Sequence, residues 1–178
     1  MRTIILARHG EGMGGLNKLV QSKEDLLTEK GIRQAKELAG YLKGKGINHI
    51  MASPSFRTLQ TATIAAAEFE IPVSAVNELI EIDFGSMTGK PAGDLTIEQA
   101  MEMGKGETPD QVFHRVKLGW QKILKEKWQG ILLVVTHRSI LSAIDTILKG
   151  GTVEDFLSAR KGNNELSFGY WKEIIIED

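Results

Sequence analysis

The sequence predicts an α/β fold: a three-layer α/β/α sandwich with a mostly parallel central sheet, an antiparallel edge strand and a small cap. Three observations predict it. Short apolar runs alternate with segments of helical periodicity along the 178 residues, as in chains that pass from strand to strand through helices. No Pro/Gly/Ser-rich linker and no internal repeat divides the chain, so 1–178 reads as one domain. The final apolar run, Ser167 to Ile176, is long and alternates at its start, which suits an antiparallel edge.

In chain order, Thr3 to Ala7 is the first buried strand, followed at once by Arg8-His9-Gly10. Thr28 is placed as the N-cap of a helix whose stripe, Ile32, Ala35, Leu38, Ala39 and Leu42, stops before Gly44 and Gly46; Arg33, Lys36 and Glu37 face solvent. Ile47 to Ala52 is the second strand, and a proline turn at Ser53-Pro54 leads into a helix starting near Arg57, where free backbone N–H groups suit an anion. Val73 to Val76 is the third strand. Residues 84–106 are rich in glycine, carry only a short helical run around Leu95 to Met103, and form the expected cap. Thr108, Pro109 and Gln111 supply an N-cap, a proline at N1 and a capping box for a helix expected to reach about Gly130. Ile131 to Thr136 is the fourth strand, and the helix after it packs Ile140, Leu141, Ala143, Ile144, Ile147 and Leu148 on the sheet before Gly150-Gly151.

Composition removes several classes of function. The formal net charge of −1 and a pI of about 6.4, with basic and acidic residues interspersed, leave no electrostatic footprint for nucleic acid. Residues 1–7 are too short for a signal peptide's apolar core and no run approaches a membrane-spanning length, so a cytoplasmic protein with no membrane partner is expected. The absence of cysteine excludes thiol-based phosphatases, cysteine proteases and cysteine zinc sites. No histidine pair has metal-ligand spacing and no aspartates cluster, so no metal and no other cofactor is expected. His49 and His114 read as structural, Trp120, Trp128 and Trp171 as packing residues, and Met87, Met101 and Met103 as core residues before pocket residues.

The chemistry gathers at strand ends. Arg8-His9 ends the first strand as Thr136-His137 ends the fourth, and ligands in open α/β sheets collect beyond the carboxyl ends of parallel strands. Arginine grips phosphoryl oxygens in pairs, and a neutral imidazole can attack phosphorus and carry it. One decoy lies beside this pattern. Gly10 to Gly15 fits the glycine spacing of a dinucleotide-binding loop, but the next strand begins about 40 residues on and ends in Ala52-Ser53, with no carboxylate for a ribose.

Taken together, Arg8-His9-Gly10, Leu27-Thr28-Glu29-Lys30-Gly31-Ile32-Arg33-Gln34-Ala35, Ser53-Pro54 with Arg57 and Gln60-Thr61-Ala62, Glu81-Ile82-Asp83-Phe84-Gly85, and Val135-Thr136-His137 resemble the histidine phosphatase superfamily, the group that contains the phosphoglycerate mutases. The motifs follow the family's order and cover nearly the whole chain. The resemblance implies His9 as nucleophile and phosphohistidine carrier, with Arg8, Arg57 and His137 around the phosphoryl oxygens and Glu81 as general acid and base. Glu78 and Asp83 compete for that last role. Neighbouring arginines favour neutral His9.

The chain departs from the family pattern in three places. Asn17 falls two positions late for the usual phosphate-binding asparagine, and is either a substrate ligand on a longer Gly12 to Gly15 loop or a turn residue; Glu11 reads as structural. Ser86-Met87-Thr88-Gly89 replaces a tryptophan-containing segment. Arg138 follows His137 where small residues are common, and either recognises a second anionic group or points into solvent. Without the long insertions of the glycolytic mutases, the resemblance implies an acid phosphatase-like monoester hydrolase, with mutase transfer or a non-catalytic phospholigand-binding module as alternatives. The expected partner is a small phosphorylated metabolite (a sugar phosphate, a phosphoglycerate derivative or a nucleotide-loop precursor) or a phosphohistidine-bearing protein; a homodimer is left open.

Overall fold

The computed structural model describes residues 2–67, 69–91, 93–162 and 166–176. Five strands, β1 (Arg2–Arg8), β2 (Ile47–Ala52), β3 (Val73–Ala75), β4 (Ile131–Thr136) and β5 (Trp171–Ile176), form one sheet in the order β3-β2-β4-β1-β5. The first four are parallel, and β5 runs antiparallel to β1 at one edge. The helices are α1 (Met13–Leu16), α2 (Glu29–Leu42), α3 (Phe56–Ala66), α4 (Ile97–Gly104), α5 (Pro109–Lys125), α6 (Arg138–Leu148) and α7 (Val153–Gly162).

Alternation along the central strands creates the three layers. Ile5, Ala7, Ile50, Ala52, Leu133 and Val135 pack against α2 and α3 through Leu38, Leu42, Ala62 and Ala65. Ile4, Leu6, Leu132 and Val134 face α5, α6 and α7, meeting Val116, Trp120, Ile144 and Phe156. Successive side chains of a strand point to opposite faces, so a strand covered on both sides is apolar throughout. The α/β/α architecture is as expected, and so is the antiparallel edge.

Several boundaries move for local reasons. α5 ends at Lys125 and not near Gly130, because the chain leaves helical geometry at Glu126 and turns Trp128 into the core, where its indole N–H donates to the Ile123 carbonyl at 3.0 Å. β5 begins at Trp171 and not at Ser167, because Ser167–Tyr170 closes a turn through Gly169, whose φ is +76°. Leu148 is exposed at the end of α6 while Ile140, Leu141, Ala143 and Ile144 are fully buried. Neither α1 nor α7 was read from the sequence; α1 has four residues, too few to show a period. The predicted N-cap and the predicted capping box are both formed: Thr28 accepts from Gly31 N–H, and Thr108 and Gln111 bond reciprocally.

Residues 84–106, apart from Ala92, which lies outside the described residues, run through a 3₁₀ turn (Gly85–Met87) and α4. They are tied to the loop after α1 by backbone bonds between Val20 and both Lys90 and Gly89. None of the described helices is long and apolar enough to cross a membrane.

Candidate active site

Sheet register assembles the site. Arg8 pairs with Thr136 across β1 and β4, so His9 and His137 leave adjacent strands at the same level. Ala52 pairs with Val135 across β2 and β4, which sets Ser53 beside them. The two imidazole centroids are 5.1 Å apart, although 128 residues separate them in sequence. Arg57 enters from the first turn of α3 and lies between them.

Hydrogen bonding determines which nitrogen of each imidazole carries the proton. The Gly10 carbonyl lies 2.6 Å from His9 Nδ1 and can only accept, while Arg57 Nε, 3.2 Å from His9 Nε2, can only donate. Neutral His9 is therefore the Nδ1–H tautomer with its lone pair on Nε2. The pattern reverses in His137: Arg57 Nη2 donates to Nδ1 at 3.1 Å, and Nε2–H donates to Ser53 Oγ at 2.7 Å. Burial, followed by the Arg57 and Arg8 charges, pushes His9 well below the ordinary imidazole value, opposed by the Gly10 bond. His137 is lowered likewise, first by burial, then by Arg57 and His9.

These shifts carry a stability consequence. A histidine whose folded pKa is depressed binds fewer protons than in the unfolded chain once the pH falls below about 6.5. The folded state is therefore fully favoured above that value and loses stability as pH drops from it toward the depressed folded values. The melting temperature is expected to fall between about pH 7 and pH 5, and less steeply in His137→Asn than in the native sequence. Equal slopes in a calorimetric pH series would refute this.

The remaining motif residues build the frame. Gly10 has no side chain because α2 lies against it: a Cβ there would stand 2.3 Å from the Gly31 carbonyl oxygen, and a Cβ on Gly31 would stand 2.1 Å from that of Glu11. Close approach, more than turn formation, explains both glycines. Gln34 braces two segments, accepting from Glu11 N–H and donating to the Phe168 carbonyl. Glu11 accepts from Thr28 Oγ1 and pairs with Lys30, a structural role. Arg8 donates to the Leu166 carbonyl at 2.6 Å and lies 3.8 Å over the Phe168 ring.

Glu81 lies in a wall shared by two cavities. One, about 540 Å³, is lined by Arg8, Gln21, Glu81, Phe84, Ile97 and Arg138; the other, about 530 Å³, by Gln21, Arg57, Glu81, Asp83 and Arg115 among others. Of the competing carboxylates, Glu78 is paired with Lys122, whose hydrogen bond lowers its pKa, and lines neither cavity. Asp83 is exposed and accepts from Gly85 N–H. Arg138 is half-buried and lines the first cavity.

Asn17 stands in a turn. It is the exposed C-cap residue of α1 and lines neither cavity; Lys18 then takes a left-handed φ of 56° and the chain returns with Leu19, Val20 and Gln21 along the cavity wall. Gln21, whose Nε2 is buried without a hydrogen-bond partner, was not picked out by sequence reasoning, nor was Phe168; nothing in their local sequence marks them. Met87 and Met101 are buried and Met103 is exposed, and none lines either cavity. Among the described residues no group of three His, Asp or Glu side chains is placed to hold a metal ion.

Residues 4–173 match the family model of the histidine phosphatase superfamily, branch 1. The chain belongs to this superfamily. Among curated histidine phosphatase relatives, a 2,3-bisphosphoglycerate-dependent phosphoglycerate mutase of Thermoplasma acidophilum is 34% identical over 170 residues, covering 88% of this chain and 81% of its own. PhoE of Bacillus subtilis, described as an uncharacterized phosphatase, is 29% identical over 156 residues, covering 86% and 81%. Among solved structures, the alpha-ribazole phosphatase of Shigella flexneri shares the fold with a TM-score of 0.85 at 24% identity, over 98% of this chain and 91% of that one. Histidine phosphatase members thus include phosphatases and mutases, enzymes of phosphoryl transfer, and the superfamily assignment places this chain among them.

Proposed function

We propose that this protein is a metal-independent phosphatase that hydrolyses phosphomonoesters through a phosphohistidine on His9. The observation that carries the reading is the tautomer of His9, with Nδ1–H held by the Gly10 carbonyl and a lone pair on Nε2 facing Arg57. An arriving phosphoryl oxygen takes over the Arg57 Nε–H donor, freeing that lone pair. The Nε2–P bond forms as the ester P–O bond breaks, Arg8, Arg57 and His137 stabilise charge on the phosphoryl oxygens, and protonated Glu81 gives its proton to the leaving oxygen. Glu81 carboxylate then takes a proton from water as that water attacks phosphorus, and inorganic phosphate leaves with His9 restored.

Hydrolysis is favoured over mutase transfer because the cap beside Glu81 has, among the described residues, one eight-residue helix and a 3₁₀ turn, and Glu81 and Arg138 remain partly exposed. Water therefore has access to the phosphoenzyme, which a mutase must prevent. The relative named as a phosphoglycerate mutase supports the second reading, transfer between carbon hydroxyls. Phosphate release from a panel of phosphomonoesters in the presence of chelator decides between them. Release that resists chelator supports the phosphatase. Isomerisation of a phosphoglycerate without release would support the mutase, and neither activity would favour a phospholigand-binding module.

Arg138 extends the proposal to the substrate. Set in the cavity with Arg8 and apolar walls from Phe84 and Ile97, it is suited to a carboxylate or second phosphate on a small phosphorylated metabolite. Arg138→Ala is expected to raise KM about tenfold for 3-phosphoglycerate while leaving glycerol 3-phosphate within about threefold. Equal changes for the pair would remove this role.

A further inference from the structure

Glu81 lies on a stretch without regular secondary structure, yet an acid that protonates a leaving oxygen must be held within a fraction of an ångström. Arg115 on α5 and Glu107 just before that helix bond the backbone on either side of Glu81. Arg115 Nη1 donates to the carbonyls of Glu78 at 2.8 Å and Ile80 at 2.9 Å, just before Glu81. Arg115 Nε and Nη2 grip Glu107 Oε1 and Oε2, both at 2.7 Å. Glu107 in turn accepts from Asp83 N–H at 3.0 Å and donates its own N–H to the Asp83 carbonyl at 2.8 Å, just after Glu81. The chain is thus held on both sides of the acid by a single guanidinium and its carboxylate partner.

The face of α5 that bears Arg115 also carries Gly119 and Lys122, four and seven residues beyond it, which is helical neighbour spacing. A glycine inside a helix is destabilising relative to alanine. Here it has a purpose: a Cβ on Gly119 would stand 2.4 Å from Glu78 Cβ. Lys122 pairs with the Glu78 carboxylate. Docking of α5 itself is provided elsewhere, by buried Val112, Phe113, Val116, Trp120 and Ile123. The fold therefore does not need Arg115 to keep the helix in place.

We propose that Arg115, with Glu107, is a positioning residue for Glu81, and that Gly119 admits the Glu78 turn closely enough for the clamp to form. The proposal rests on Glu81 being the proton donor. A donor matters most when the leaving oxygen is strongly basic, so the readout is leaving-group dependence. Steady-state kcat and KM would be measured for 4-nitrophenyl, phenyl and simple alkyl phosphates with the native chain, Glu81→Gln, Arg115→Gln, Arg115→Lys and Gly119→Ala, alongside melting temperatures.

In both Arg115 variants kcat is expected to fall about a hundredfold on alkyl phosphates and less than about threefold on 4-nitrophenyl phosphate, with KM little changed. Lysine keeps the charge but lacks the fork, so it is not expected to rescue. Gly119→Ala should show the same pattern in a folded chain, which preserves the test if the Arg115 variants melt. Uniform loss across the series, or none, overturns the clamp. If Glu81→Gln steepens the dependence and the Arg115 and Gly119 variants do not, the clamp alone is wrong. If Glu81→Gln leaves the dependence flat, Glu81 is not the donor and both ideas fall.

Discussion

His9→Ala is expected to abolish phosphate release, with a loss on the order of 10⁴-fold or more, because removal of a nucleophile leaves only binding and charge stabilisation. The substitution removes the Nε2 lone pair and also the imidazole that Arg57 and the Gly10 carbonyl hold in register. His9 is 1% exposed, so the change also opens a cavity beside Phe168 and His137. His9→Asn, closer in volume, separates the two effects: it should restore thermal stability toward that of the native chain without restoring activity. Rapid quenching of the native protein with labelled phosphoester should trap an acid-labile phosphoenzyme, and neither variant should form it. Turnover retained in His9→Ala would eliminate the proposed nucleophile.

Arg57→Met is expected to be nearly as severe, on the order of 10³-fold in kcat, the scale seen when an arginine that stabilises transferring phosphoryl charge is removed. Arg57 holds the lone-pair nitrogen of each imidazole and is anchored by the Ser22 carbonyl. Its loss therefore disorders both rings as well as removing a phosphate donor. It also carries a signature in the resting protein. The Arg57 charge depresses both His9 and His137, second only to burial, so methionine should let both pKa values rise. Histidine chemical shifts followed over a pH series measure this directly. Loss of activity with no upward movement would mean that the guanidinium does not control these rings in the way the geometry requires.

Much of the site was legible because its residues stand at element ends, which local pattern locates well. Arg8-His9 and Thr136-His137 end strands that are apolar on both faces, and Thr28 and Thr108 are caps read from their neighbours. The residues that escaped act across long loops. Arg115 reaches back 37 residues to the Glu78 carbonyl, and Phe168 comes from beyond α7 to lie under Arg8 and beside His9. The one local trace of the α5 clamp was a glycine at 119 inside an otherwise regular amphipathic helix.

By itself the sequence determined the alternation of strand and helix, the caps, the antiparallel edge and the residues able to do phosphoryl chemistry, since each depends on periodicity or on the chemistry of neighbouring side chains. Tertiary structure alone decided that Asn17 faces outward, that Gln21 and Arg138 face the cavity, which nitrogen of each imidazole is protonated, and what holds Glu81. Those outcomes depend on sheet register and on carbonyl and guanidinium groups brought together from distant segments, and no local pattern in the chain encodes a distance across the sheet.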